Sequence, residues 1–138
     1  TYEQQENGKV VFDGIVALAK ACLAAGIPVG LGTDTGCPFI THYDMWRELC
    51  YFVKFCDVTP DFALYSATLL NARLAGIDHL TGSVEKGKAA DLIVCEKNPL
   101  EDLTALRKLD MVIKDGWRID RPAVKKMPQV ERELDKFL

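Results

Sequence analysis

The stretch "LAAGIPVGLGTDTG", Leu23 to Gly36, constrains this chain more than any other. Gly26 is placed to stop a helix in a left-handed conformation, and Ile27-Pro28 then forces extended backbone. Ile15, Leu18, Ala19, Cys22 and Leu23 recur at helical spacing before it, which predicts a helix from Asp13 to Ala25. Val29 and Leu31 with their intervening glycines predict a short strand suited to a crowded interior. A helix thus feeds a strand through a tight loop, and the fold class is α/β.

The order continues downstream. Thr41 and Asp44 resemble a capping box, and Met45, Leu49, Phe52, Val53 and Cys56 form one apolar stripe of the helix that follows. Thr59-Pro60-Asp61 combines an N-cap, a proline at the first helical position and an acid near the positive end of the dipole. Ala63, Ala67, Leu70 and Leu74 line the buried side of that helix, and Gly76 ends it. Beyond residue 77 the character changes. The continuous run Leu92-Ile93-Val94-Cys95 predicts a strand over 90–96 buried on both faces. "DMVIKDGWRID" predicts a hairpin turned at Asp115-Gly116. After Arg121-Pro122, residues Val130, Leu134, Phe137 and Leu138 predict a small docking helix. The chain divides accordingly into 1–76, 77–120 and a tail, 121–138.

Bulk properties exclude several functions. The net charge of −3 leaves no basic footprint for nucleic acid or an anionic membrane. No apolar run approaches the roughly 20 residues of a membrane span, and the opening "TYEQQENGK" is polar, unlike a secretory leader. Five cysteines without CxxC spacing suggest neither a disulfide framework nor a zinc knuckle. A soluble cytoplasmic protein with reduced thiols is the expectation.

Asp34 is the residue whose purpose matters most. Three readings stand: a strand-end carboxylate at a catalytic centre, part of a phosphate loop, or an Asx turn bonding its own backbone. Gly30, Gly32 and Gly36 have G-x-G-x-x-x-G spacing, one residue too long for the dinucleotide fingerprint, and Cys37-Pro38 stands where the phosphate-binding helix would begin. The nucleotide reading fails on both counts. His42 is either a solvent-facing histidine of a first helical turn or a substrate contact. Thr33, Thr35 and Gly36 shape the loop or face a substrate with their backbone. Cys37 is the thiol expected to be exposed, without a base beside it in sequence, whereas Cys22, Cys50, Cys56 and Cys95 read as small buried hydrophobes. Trp46, Tyr51 and Phe55 read as helix packing, and His79 as a surface or interface residue.

Together "LAAGIPVGLGTDTG", the His in "THYD", "VTPDFALYSATLLNARLAGI", "TGSVEKGKAADLIVCEKNPLEDL" and "VIKDGWRI" resemble the C-terminal portion of the metal-dependent amidohydrolase superfamily. The resemblance covers residues 12–120, and the branch with imidazolonepropionase-like and Xaa-Pro or Xaa-Arg dipeptidase-like enzymes looks nearest. It implies a C-terminal fragment of a (β/α)8 barrel for 1–76, with strands of a small β-sandwich for 77–120. Asp34 would then end the last barrel strand, where such barrels build their active sites. The resemblance implies that Asp34 serves as general base and acid, and as ligand, direct or through water, to a divalent ion such as zinc. His42, Thr35 and Gly36 would contact a small amide or dipeptide substrate.

The implied reaction is hydrolysis of a C–N bond by metal-activated water, with deamination as the alternative chemistry and a non-catalytic assembly module as the alternative class. A complete barrel needs on the order of 250 residues, and the superfamily's first-strand His-x-His pair has no counterpart here. The expectation is a piece of a longer hydrolase, inactive alone and missing its N-terminal barrel portion. Its unpaired strand edges and exposed apolar helix faces make a homo-oligomer the expected state.

Overall fold

The computed structural model describes residues 2–138. Its elements are α1 (Tyr2–Ala24), α2 (Met45–Cys56), α3 (Pro60–Tyr65), α4 (Asn71–Leu74), β1 (Leu92–Val94), β2 (Met111–Lys114), β3 (Trp117–Asp120) and α5 (Pro128–Leu134). A π-helical turn, Ser66–Leu70, joins α3 to α4, and short 3-10 turns lie at Leu103–Arg107 and Asp135–Phe137.

Helix α1 begins at Tyr2, well before Asp13. The stretch between holds glutamates and glutamines that favour helix without an apolar stripe to announce it, and Lys9 and Asp13 pair across one turn at 2.6 Å. Its inward face also differs from the expected stripe. Val16, Ala19, Cys22 and Leu23 are half-buried, while Ile15 and Leu18 are 62% and 66% exposed. Phe12 meets Phe55 of α2 edge to face, centroids 4.9 Å apart. Both glycine stops form as expected. Gly26 and Gly76 take φ of 70° and 71°, and the next residue's N–H returns to the helix, Ile27 to Cys22 at 2.8 Å and Ile77 to Ala72 at 2.9 Å.

Residues 27–33 lead up to the left-handed Asp34 as an extended segment but form no strand among the described residues, because a strand requires a laddered neighbour and the sheet of this chain is built elsewhere. The capping box at Thr41 is also absent: Asp44 itself precedes α2, its side chain caps no N–H, and Thr41 donates instead to the Asp44 carboxylate. The predicted α2 stripe does form the core, where Leu49 and Phe52 are buried with Ala63 and Leu103. Thr59 caps α3 by accepting from the Phe62 N–H.

The three strands make one antiparallel sheet in the order β1-β2-β3. Its hairpin turns at Asp115 and Gly116, φ 51° and 81°, the two positive angles of a type I′ turn. Asp91 braces that turn, accepting from the Asp115 N–H at 2.8 Å and from Lys114, and the Asp115 N–H, then Lys114, hold its carboxyl below the usual range. Strand β1 is shorter than 90–96, and its residues are not buried on both faces: Ile93 is 54% and Val94 40% exposed. Among the described residues it is an edge strand, paired only with β2.

Gly82 of "TGSVEKGKAADL" lets the loop lie close against the helical residues Leu69 and Ala72. A Cβ on Gly82 would lie 2.6 Å from the Ala72 Cβ and 3.1 Å from the Leu69 Cα. Lys88 donates to Ser83, which donates to Glu85, closing the loop between the two regions.

Candidate active site

Asp34 stands at the exposed end of the extended segment, with φ of 53°. A left-handed conformation is rare for a residue with a side chain, and aspartate tolerates it better than most. The chain turns there, with Gly36 following at φ 121°. Thr33 and Thr35 share a hydroxyl hydrogen bond of 2.6 Å across Asp34. The Cys37 thiol, exposed as expected, points its S–H at Asp34 Oδ2 over 3.7 Å. Thr33, Asp34, Thr35, Gly36 and Cys37 are therefore brought together in one turn. The turn opens to solvent, with no further charged side chain in hydrogen-bond contact with Asp34 among the described residues.

The segment is held from behind. Leu31 N–H donates to Asn71 Oδ1 at 3.1 Å, and Asn71 Nδ2 donates to the Leu31 carbonyl at 2.8 Å. Asn71 was not singled out by sequence reasoning. Its signal was a polar residue continuing the i, i+4 series of Ala63 and Ala67.

His42 is exposed and stacks edge to face on Tyr43 at 5.3 Å. It lines a cleft of about 260 Å³ with Met45, Leu49 and Ile93. The Asp34 loop borders a different cleft, of about 160 Å³, through Thr33, with Phe39, Ile40, Glu48 and Tyr51. His79 is exposed in the turn after α4. Of the other cysteines, Cys22, Cys50, Cys56 and Cys95 are each half-buried rather than fully enclosed, and burial pushes the thiols of Cys50 and Cys56 up. Trp46 is a packing residue, buried beneath the guanidinium groups of Arg47 and Arg107 at 4.4 and 5.2 Å from its ring centre.

A buried ion cluster under the loop was not legible. Arg47, only 2% exposed, donates to Asp135 at 2.6 Å and pairs with Glu131 at 3.1 Å and Asp44 at 3.3 Å. Burial opposes the Arg47 charge, but the hydrogen bond that it donates to Asp135 and the charges of Asp44 and Glu131 outweigh it and raise its pKa. Arg107 joins from the other side, reaching Glu131 at 3.1 Å and Asp135 at 3.0 Å. Glu48, one residue along α2 in the cleft beside Thr33, has no such cation, and burial raises its pKa.

The described residues contain no group of three or more His, Cys, Asp or Glu side chains able to hold a metal ion. A catalytic zinc takes three protein ligands and a structural one four. Asp34 is a single donor, so residues 2–138 do not by themselves fit a metal centre.

The amidohydrolase family matches residues 7–118, and the chain belongs to that family. Imidazolonepropionase of Picrophilus torridus is 43% identical over 70 residues, covering 51% of this chain and 18% of that protein. A candidate prolidase from Bifidobacterium longum superposes with a TM-score of 0.93 at 43% identity, over 99% of this chain and 33% of its own. A Xaa-Pro dipeptidase solved with methionine in its active site superposes with a TM-score of 0.70 at 36% identity, over 77% of this chain and 25% of its own. The chain thus spans a third or less of the length of these relatives. Among the described residues, no helix is long and apolar enough to cross a membrane.

Proposed function

We propose that this chain is part of a hydrolase that cleaves the C–N bond of a dipeptide or amino-acid-derived amide, with Asp34 as its proton-transfer group. The carrying observation is Asp34 itself, an exposed carboxylate at the end of a glycine-lined extended segment in a chain of the amidohydrolase family. The relatives named for dipeptides support the substrate class. Residues 27–34 act in this proposal as the last strand of a (β/α)8 barrel and 77–120 as part of a small sandwich. The other strands come from outside the chain.

The chemistry asked of Asp34 is a proton relay. As water attacks the carbonyl carbon, the Asp34 carboxylate takes one of its protons. When the tetrahedral centre collapses and the C–N bond breaks, the same proton passes to the leaving nitrogen. The open turn gives a substrate access to both Asp34 oxygens, and the Thr35 and Gly36 backbone lines the approach. His42, in a neighbouring cleft, contacts a more distant part of the substrate. A divalent ion such as zinc would share Asp34 with ligands supplied from outside this chain. The substrate is a small molecule, with no role for nucleic acid or membrane, in a cytoplasmic homo-oligomer.

The test is amino-acid release from a panel of Xaa-Pro and other free dipeptides by the polypeptide that carries this chain with the remaining strands. Release from at least one dipeptide is expected. No release from any of them, alongside turnover of an aminated purine, would move the assignment to deamination.

A further inference from the structure

In extended backbone the N–H and C=O of one residue point the same way, toward the place of a neighbouring strand. At Leu31 that place is taken by a side chain. Asn71 offers Oδ1 to the Leu31 N–H and Nδ2 to the Leu31 carbonyl, 3.1 and 2.8 Å away, the same acceptor and donor that a strand would present. Among the described residues, no other group hydrogen-bonds the backbone of 28–33.

Two features show that this contact is built in. A Cβ on Gly30 would lie 2.4 Å from Asn71 Oδ1 and 3.0 Å from the Leu74 Cδ1. Gly30 has no positive φ, so its glycine answers a close approach and not a turn. On the other side, Asn71 follows the π turn, and its Nδ2 also donates to the Ala67 carbonyl at 3.4 Å. The amide is thereby anchored in the helix that it reaches from. Such π turns recur at functional positions.

Asp34 lies three residues beyond Leu31, about 10 Å along extended chain. Gly32 between them adds no side chain to fix the path. We propose that Asn71 is a positioning residue for Asp34: it clamps Leu31 and so sets where the carboxylate turn stands. The inference rests on the role proposed for Asp34, yet it is read without any turnover. Hydrogen exchange at Leu31 reports the clamp. Alkylation of Cys37 by iodoacetamide reports the turn, because its S–H is engaged with Asp34.

The experiment compares the polypeptide that carries this chain with the remaining strands and its Asn71→Leu variant, using Asp34→Ala as the benchmark for a Cys37 released from its carboxylate. Asn71→Leu is expected to speed exchange at Leu31 by about tenfold and to bring Cys37 alkylation to the rate of Asp34→Ala, with the Leu49 and Phe52 amides unchanged. Unaltered exchange at Leu31, or faster exchange with Cys37 alkylated at the wild-type rate, would overturn it. Should Leu49 and Phe52 also open, Asn71→Asp decides, since it keeps an acceptor for the Leu31 N–H and removes the donor to its carbonyl. Faster Cys37 alkylation in that variant supports the clamp, and a wild-type rate overturns it. An Asp34 variant that hydrolyses dipeptides normally would refute the functional reading and leave this result standing.

Discussion

Arg47 of α2 donates to Asp135, 88 residues later in the chain, at 2.6 Å. Around that contact the tail is fixed to α2 and to the residues just before it. Tyr51 donates to the Leu134 carbonyl at 3.2 Å, and Tyr43 accepts from the Met127 N–H at 2.9 Å. The C-terminal helix therefore lies against the helix that starts directly after the Asp34 loop. Removing Arg47 leaves Asp44, 6% exposed, without its cation, and Glu131, 7% exposed, with Arg107 alone.

Arg47→Met is accordingly expected to destabilise the chain by about 3 kcal/mol, the scale of breaking one partner out of a buried pair. Urea denaturation followed by tryptophan fluorescence measures it, since Trp46 sits between Arg47 and Arg107. An unchanged midpoint would mean that the cluster adds nothing to the fold.

The pH dependence of Glu48 runs opposite to that of the tail carboxylate. Burial raises the Glu48 pKa in the folded chain. The folded state then binds more protons than the unfolded one in that window, so stability falls as pH rises from the ordinary glutamate value through the raised one. For Asp135, burial works against a lowered pKa, but Arg47 and Arg107 win and hold it down. Its contribution is present above the ordinary aspartate value and fades as pH drops through the lowered one. Glu48→Gln is expected to stabilise at pH 7 and to have no effect well below the ordinary glutamate pKa. Thermal melts of both proteins at the two pH values check this; equal gains at both would remove the titration of Glu48 as the cause.

Two glycines of one loop separate crowding from backbone angle. Gly82 and Gly87 have similar φ, 91° and 97°, but only Gly82 has neighbours that a Cβ would strike. Gly87→Ala is expected to cost about 1–2 kcal/mol from its angle alone, and Gly82→Ala at least about 1 kcal/mol more from overpacking against Leu69 and Ala72. Equal midpoints for the two variants in urea would show that the loop is free to move away from α4.

What could be read from the sequence was local. Gly26, Gly76, Thr59-Pro60 and Asp115-Gly116 act on their own few residues, and each did in the structure what its chemistry dictates. The α2 stripe was equally legible, because Leu49 and Phe52 share one face by spacing alone. The start of α1 was not, since a stretch of Glu, Gln and Asn carries no periodicity. The spacing at Val29 and Leu31 predicts a strand, and the structure has none there, because laddering depends on partners that spacing does not encode. The contacts of Arg47 and Asn71 are not legible for the same reason. Their partners, Asp135 and Leu31, stand 88 and 40 residues away, and nothing in either neighbourhood marks the pairing. Asp34 was singled out by its glycine setting, and its left-handed φ, which strand patterning does not foretell, is what turns the chain beneath it.

The most direct measurement of the account is kcat for dipeptide hydrolysis by the Asp34→Asn form of the polypeptide carrying this chain. Asparagine keeps the size of the side chain and cannot take a proton from water, so kcat is expected to fall by about 10²–10⁴-fold with an unchanged melting temperature. A kcat within twofold of the parent, roughly 0.4 kcal/mol in barrier, would contradict the role of Asp34.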